Sequence, residues 1–269
     1  MTSTINDPLK ARHRTTWGLG DYALVADTVV AELGAILVSA CGVKPGDAVL
    51  DVAAGAGNAA IPAARAGAHV VASDLTPALL EAGKARAGDL AIRWEEADAE
   101  ALPNADGAFD VVLSCLGAMF APHHQACADE LVRVCRSGGT IGLLSWTPGG
   151  FVGQLFATMK PYVPPPPPGV TPPQLWGSAK HVRSLLGDRV TDVETRVAAT
   201  RVAAFGTAEE FRDFFKAHYG PTVAAYRGIA DEPDRVAALD ADLAALARRF
   251  DVGGGAMEWE YLLVTATAR

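Results

Sequence analysis

The chain predicts an α/β fold, a doubly wound sheet of mostly parallel strands with helices between them. Three observations predict it. Short β-branched runs alternate with Ala-rich helical stretches between Ala48 and Trp146. The first run, Val49-Leu50-Asp51-Val52, breaks into Ala53-Ala54-Gly55-Ala56-Gly57, the small residues of a tight strand-to-helix loop. The next run ends on an acidic residue, Asp74.

Each element has a local cause. Asp21 is a cap for a helix expected through Tyr22 to about Ala40, with Val25, Val29, Leu33 and Ile36-Leu37 on one face. Pro45-Gly46 turns the chain into the first strand, 48–52. The helix after the loop holds Pro62 near its start, where few hydrogen bonds are lost. Residues 69–73 form the second strand, and Thr76-Pro77 opens a helix with Thr as cap and Pro in the first position. Strands follow at 91–95 and 109–115, then a helix at 125–135. Ser137-Gly138-Gly139 reads as the turn into a fifth strand, 140–146.

The second half departs from a bare sheet. Residues 161–173 hold a proline run, Pro164 to Pro168, which is neither helix nor central strand and suits a stiff, extended strap. A short helix is expected at 178–186 and a sixth strand at 190–202. Residues 205–250 read as mostly helical, with Phe211, Phe214 and Phe215 on the apolar side, and 258–267 as the last strand. A helical excursion of that length between two strands is expected to roof a site. The reading is one domain over 1–269, with a helical lid at 1–44, a ligand-binding half at 45–147 and a cap half at 148–269.

Composition narrows the function. The 269 residues are 50% hydrophobic, enough for a large core, and carry a formal charge of −8. An acidic chain without a basic face argues against a nucleic-acid partner. No apolar run reaches the roughly 20 residues of a membrane span, and 1–14 is polar without a signal core, so a cytoplasmic protein is expected. Cys41, Cys115, Cys127 and Cys135 lack paired metal or dithiol spacing and read as reduced, packed thiols. No metal is expected, and the oligomeric state is left open.

Charge around the loop selects the ligand. Between Pro45 and Ala64 there is no Lys or Arg, and Asp51 stands at the loop's edge. A carboxylate there repels a pyrophosphate but welcomes an ammonium and a sulfonium. S-adenosylmethionine carries both. The glycines alone also satisfy the Gly-x-Gly-x-x-Ala pattern of nicotinamide enzymes through Gly55-Ala56-Gly57-Asn58-Ala59-Ala60, so an NAD(P)-dependent oxidoreductase is the alternative. A protein that binds S-adenosylmethionine without transferring its methyl group is another.

The same stretch resembles motif I of class I S-adenosylmethionine-dependent methyltransferases, an acidic residue followed by Gly-x-Gly-x-Gly. Gly55 and Gly57 match, and Ala53 replaces the first glycine, which is tolerable if its φ is negative. Further matches follow in family order: Asp74, then Ala97-Asp98-Ala99-Glu100-Ala101-Leu102-Pro103, Phe109 to Ser114, and Leu131 to Gly139. Trp17 to Tyr22, the proline run, Leu175-Trp176-Gly177 and His218 to Thr222 look like a small-molecule, ubiquinone- or menaquinone-biosynthesis-like branch. The resemblance implies a Rossmann-like, seven-stranded doubly wound sheet with the last strand antiparallel. It also implies an N-terminal helical lid and a helical cap between the last two strands.

It further implies roles. Asp51, Ala53, Gly55 and Gly57 would form the cofactor loop, with Asp74 and Leu75 on the ribose and Asp98 and Ala99 at the adenine. Trp17 and Tyr22 would close over the methionine end, while Ser114 and Met119 would lie in the floor beneath it. Phe120, Trp176, Phe215 and Tyr219 are the candidates for touching a small, partly apolar acceptor. Methyl transfer at oxygen, nitrogen or carbon is an in-line displacement, carried mostly by positioning and desolvation. A base is needed only where the acceptor must lose a proton, and His124 is the candidate that matches the branch.

Overall fold

A computed structural model describes residues 7–269. Its centre is a seven-stranded sheet in the order β3-β2-β1-β4-β5-β7-β6. The strands are β1 Ala48–Val52, β2 His69–Asp74, β3 Ile92–Glu96, β4 Phe109–Cys115, β5 Cys135–Trp146, β6 Val190–Val202 and β7 Met257–Ala268. The first five pair in parallel, and β7 runs antiparallel between β5 and β6. The expected sheet, with its last strand reversed, is the observed one.

The helices are α1 Pro8–Trp17, α2 Tyr22–Val29, α3 Leu33–Ala40, α4 Ala60–Arg65, α5 Pro77–Ala87 and α6 His124–Val134, then α7 Phe151–Met159, α8 Ala179–Leu186, α9 Ala208–His218, α10 Gly220–Gly228 and α11 Pro233–Phe250. From β1 the chain winds outward to β2 and β3, and from β4 the other way to β5. Right-handed crossovers therefore place α4 and α5 on one face and α6 on the other. Strand order reverses between β1 and β4, where open α/β sheets bind ligands. Val49, Leu50, Val52, Val112 and Leu113 are fully buried in those two strands and fix their register.

Three expectations change. The single helix from Tyr22 to Ala40 is two, α2 and α3, meeting at 74°. Gly34, at the start of α3, lets that helix press on the β1–α4 loop, since a Cβ there would fall 1.6 Å from the Asn58 carbonyl oxygen. Second, β5 begins at Cys135, so Ser137-Gly138-Gly139 lies inside an irregular strand start whose register against β4 slips between Phe109 and Val111. Third, Thr76 starts α5 without a side-chain cap, and its own amide donates to the Asp74 carboxylate at 2.8 Å. Asp21 caps α2 as expected, accepting from the Leu24 amide at 3.0 Å.

Helix α1 adds to the expected lid. Asp7 accepts from the Leu9 amide at 2.7 Å and Pro8 takes the first position, a strong start signal. Its residues Lys10, His13 and Trp17, spaced at helical intervals, all face the sheet's ligand end. The cap is α9 to α11 between β6 and β7, and Phe211 is core within it.

Candidate functional site

A deep cavity opens at the carboxyl ends of β1, β2, β3 and β4, under α1, α2 and the α9–α10 corner. With the open space at its mouth it measures about 1170 Å³.

The floor is the β1–α4 loop. Gly55, at φ 55°, lines the cavity with nothing within 4 Å of where a Cβ would stand, so bare backbone faces the ligand space. Ala53 also lines it, but at φ 53° rather than the expected negative value. It holds the left-handed conformation that its glycine counterpart would adopt freely. Gly57 lies behind the loop at φ 84°, where a Cβ would meet the Trp94 ring at 2.8 Å. Its role here is packing.

Asp51 is 1% exposed and does not line the cavity. Its Oδ2 accepts from the Ala60 amide at 2.8 Å, while Oδ1 has no partner. Burial, aided by the Asp74 charge, pushes its carboxyl up to about 7. The loop's other neighbour is a cation that sequence reading missed: Arg86 of α5 grips the Ala56 carbonyl from outside at 2.5 Å. Arg86 does not line the cavity, and among the described residues Lys10 is the one lining Lys or Arg.

Asp74 lines the cavity at the end of β2, its oxygens taking the Gly55 amide at 2.9 Å and the Thr76 amide at 2.8 Å. These bonds lock the carboxylate's direction and leave further lone pairs for hydroxyl donors. Burial nevertheless raises its pKa. Leu75 lies beside it, and Asp98 and Ala99 line the neighbouring wall after β3. Asp98 Oδ1 accepts from Lys10 Nζ at 2.8 Å, and Oδ2 is buried without a partner. Lys10 also pairs with Glu100 at 2.7 Å, and Arg14 donates to the Leu75 carbonyl at 3.0 Å. Helix α1 is thus pinned over this end by ionic contacts.

The opposite end is aromatic. Trp17 meets Phe120 at 4.5 Å and Tyr22 at 5.4 Å between ring centroids, and Tyr22 meets Tyr219 at 6.1 Å. Tyr219 continues to Phe215 at 5.1 Å, Phe215 to Trp259 at 5.7 Å, and Trp259 to Trp146 at 5.8 Å. All of these rings line the cavity. Phe120 follows β4 and Trp146 ends β5, neighbouring strands, so the chain of rings nearly closes on itself. The roof is fastened by the Gly220 amide donating to the Tyr22 hydroxyl at 3.1 Å and by Asp21 N to the His218 carbonyl at 3.0 Å.

Of the expected residues, the structure gathers Trp17, Tyr22, Ala53, Gly55, Asp74, Leu75, Asp98, Ala99, Phe120, Phe215 and Tyr219 around one cavity. Ser114 and Met119 lie beneath the floor. Ser114 Oγ donates to the Val52 carbonyl at 2.7 Å and accepts from the Ala118 amide, joining β4 to β1. His124 and Trp176 lie outside the cavity lining, packed on each other with ring centroids 5.5 Å apart. His124 Nδ1 is 2.9 Å from His181 Nε2, and burial together with His181 lowers its pKa to about 4. The two imidazoles tie α6 to α8, which places His124, the candidate base, away from the cavity lining. Lys10, His13, Trp146 and Trp259 are lining residues that sequence reading missed.

The solved structures share the fold. A family model described as a methyltransferase domain matches residues 49–139. An uncharacterised protein of Mycobacterium tuberculosis H37Rv is 54% identical over 256 residues, covering 94% of this chain and 93% of its own. A demethylmenaquinone methyltransferase of Clavibacter sepedonicus is 41% identical over 97 residues, 36% of this chain and 40% of that protein. Among solved structures, a Haloferax volcanii putative methyltransferase complexed with the Trm112 activator superposes with a TM-score of 0.62 at 15% identity, covering 94% and 95% of the two chains. A geranyl diphosphate methyltransferase in complex with S-adenosylmethionine gives 0.54 at 17% identity, covering 89% and 85%.

Proposed function

The chain belongs to the class I S-adenosylmethionine-dependent methyltransferases, and from that premise we propose that it methylates a small, partly apolar acceptor held among the rings of the cavity. When bound, the cofactor supplies an activated methyl carbon. The residues present fit it. Asp74 would take the ribose hydroxyls, a pairing that a fixed carboxylate strengthens by charge. The orphaned Asp98 Oδ2, buried and without a donor, would take the adenine amino group. Gly55 and Ala53 would leave backbone against the methionine end, under Trp17 and Tyr22.

The protein's own contribution is to orient two reactants and exclude water from between them. The single observation that carries the reading is the pairing, in one cavity, of a carboxylate-lined end with a ring-lined end. Calorimetric titration with S-adenosylhomocysteine and with NADH tests it. Binding of the first and not the second is expected; the reverse ends the reading. A panel of quinols, phenols and nitrogen heterocycles, followed by mass spectrometry for a methyl gain, then tests transfer itself.

A further inference from the structure

Among the described residues, the ring-lined end of the cavity has no side-chain base of its own. The carboxylates among the described lining residues are Asp74 and Asp98; Asp74, close enough to Tyr22 for its charge to act there, has its oxygens held by the Gly55 and Thr76 amides, and Asp98 is paired with Lys10 at the other end. His13 belongs to that end too, since the charges around it are Lys10, Glu100, Arg12 and Asp98. Between the rings the titratable groups are Tyr22, Tyr219 and Cys115, and burial raises the pKa of each, so each keeps its proton at neutral pH. An acceptor hydroxyl among the rings would therefore find no free side-chain base beside it, among the described residues, to take its proton. An acceptor that arrives as an anion would meet the negative faces of the rings.

A cation meets the opposite response. Aromatic faces attract ammonium and onium groups, most strongly when water is excluded. We propose that the acceptor atom is an uncharged, weakly basic nitrogen, of a tertiary aromatic amine or a pyridine-type N-heterocycle, and that the ring chain from Phe120 to Trp146 holds the onium product. The inference rests on the methyl-transfer reading. The nitrogen lone pair attacks the sulfonium methyl carbon, an N–C bond forms, and the S–C electron pair stays on sulfur as a thioether. The positive charge passes from sulfur to nitrogen, and no proton moves. No base is required, which matches the site.

The test uses the full chain saturated with S-adenosylhomocysteine and a pair of probes of one shape, trimethylphenylammonium and tert-butylbenzene, with binding read by tryptophan fluorescence. The cation is expected to bind about tenfold or more tighter than its neutral twin. Replacing Tyr219→Leu or Phe215→Leu should erase most of that preference, with retained S-adenosylhomocysteine affinity serving as the control for folding. Equal or tighter binding of tert-butylbenzene, or no binding of either probe, would overturn the inference while leaving the cofactor assignment standing. Failure of S-adenosylhomocysteine to bind would remove the cofactor reading and this inference together.

Discussion

Ala53 and Gly117 meet backbone to backbone: a Cβ on residue 117 would stand 2.0 Å from the Ala53 carbonyl oxygen and 2.7 Å from its Cβ. The loop after β1 and the turn after β4 are therefore pressed together across the switch point of the sheet. Both line the cavity, and Leu116, beside the contact, is at φ 65°. Two non-glycine residues in left-handed backbone at one site are strain held in place by their surroundings.

Gly117→Ala should therefore destabilise the protein by about 1–3 kcal/mol, the usual cost of forcing atoms into a packed interior. Urea unfolding measures it. A variant with unchanged midpoint would mean that the two loops part easily.

Ala53→Gly should act in the opposite direction. Relief of left-handed strain, about 1–2 kcal/mol, outweighs the roughly 0.5–1 kcal/mol of backbone entropy that glycine adds to the unfolded chain. Thermal unfolding should show an equal or higher midpoint, and a clear drop would refute the strain.

Asp74→Asn keeps the shape but replaces one acceptor oxygen with an NH2 that faces a backbone donor, Gly55 N or Thr76 N. Each charged hydrogen bond lost is worth about 1.5–3 kcal/mol. Calorimetry should show S-adenosylhomocysteine affinity falling by at least tenfold. Wild-type affinity would place the ribose elsewhere.

The His124–His181 pair makes stability depend on pH. Burial lowers both pKa values, His124 to about 4 against an ordinary 6.5. Between those values the unfolded chain binds more protons than the folded one, so stability is full above 6.5 and falls as pH drops toward 4. His124→Phe should flatten that acid limb in melting curves taken from pH 7 to 4. An unchanged limb would assign the slope to other groups.

Lys10→Met should loosen α1. Lys10 is 4% exposed and neutralises Asp98 and Glu100 together, and removing one partner of a buried pair leaves uncompensated charge. Amide exchange across 8–17 should accelerate, with β1 and β4 still protected. Slow exchange in the variant would show that Trp17 and Arg14 hold the helix unaided.

Most sheet boundaries were readable because β-branched runs are bounded by residues that punctuate the chain, Pro45-Gly46 before β1 and Asp74, Thr76 and Pro77 where β2 gives way to α5. The nucleoside end of the cavity was readable for the same reason: Gly55, Asp74 and Asp98 follow directly on strand ends, and chain connectivity places them. The ring end was only half readable. Trp146 and Trp259 reach it through the antiparallel register of β5 and β7, in which Trp146 lies opposite Tyr261, and local sequence does not specify that register. His124 stands where the floor was expected, yet as the first residue of α6 it turns toward α8. The break between α2 and α3 was hidden because both helices are apolar on one continuous face, and the close packing of Gly34 on Asn58 joins distant segments and leaves no local signal.

The bond between the Tyr22 hydroxyl and the Gly220 amide spans 198 positions. During synthesis the floor of the site, through Trp146, is complete while some 70 residues of its roof are still to be made, by the spacing of Trp146 and Gly220. The nascent chain therefore carries an unroofed ligand cleft, with Trp17 and Tyr22 already present but without the α9–α10 corner to dock on. Closure of that cleft is among the last long-range steps of folding, and exposure of its rings until then is the interval in which this chain is most prone to stick to others.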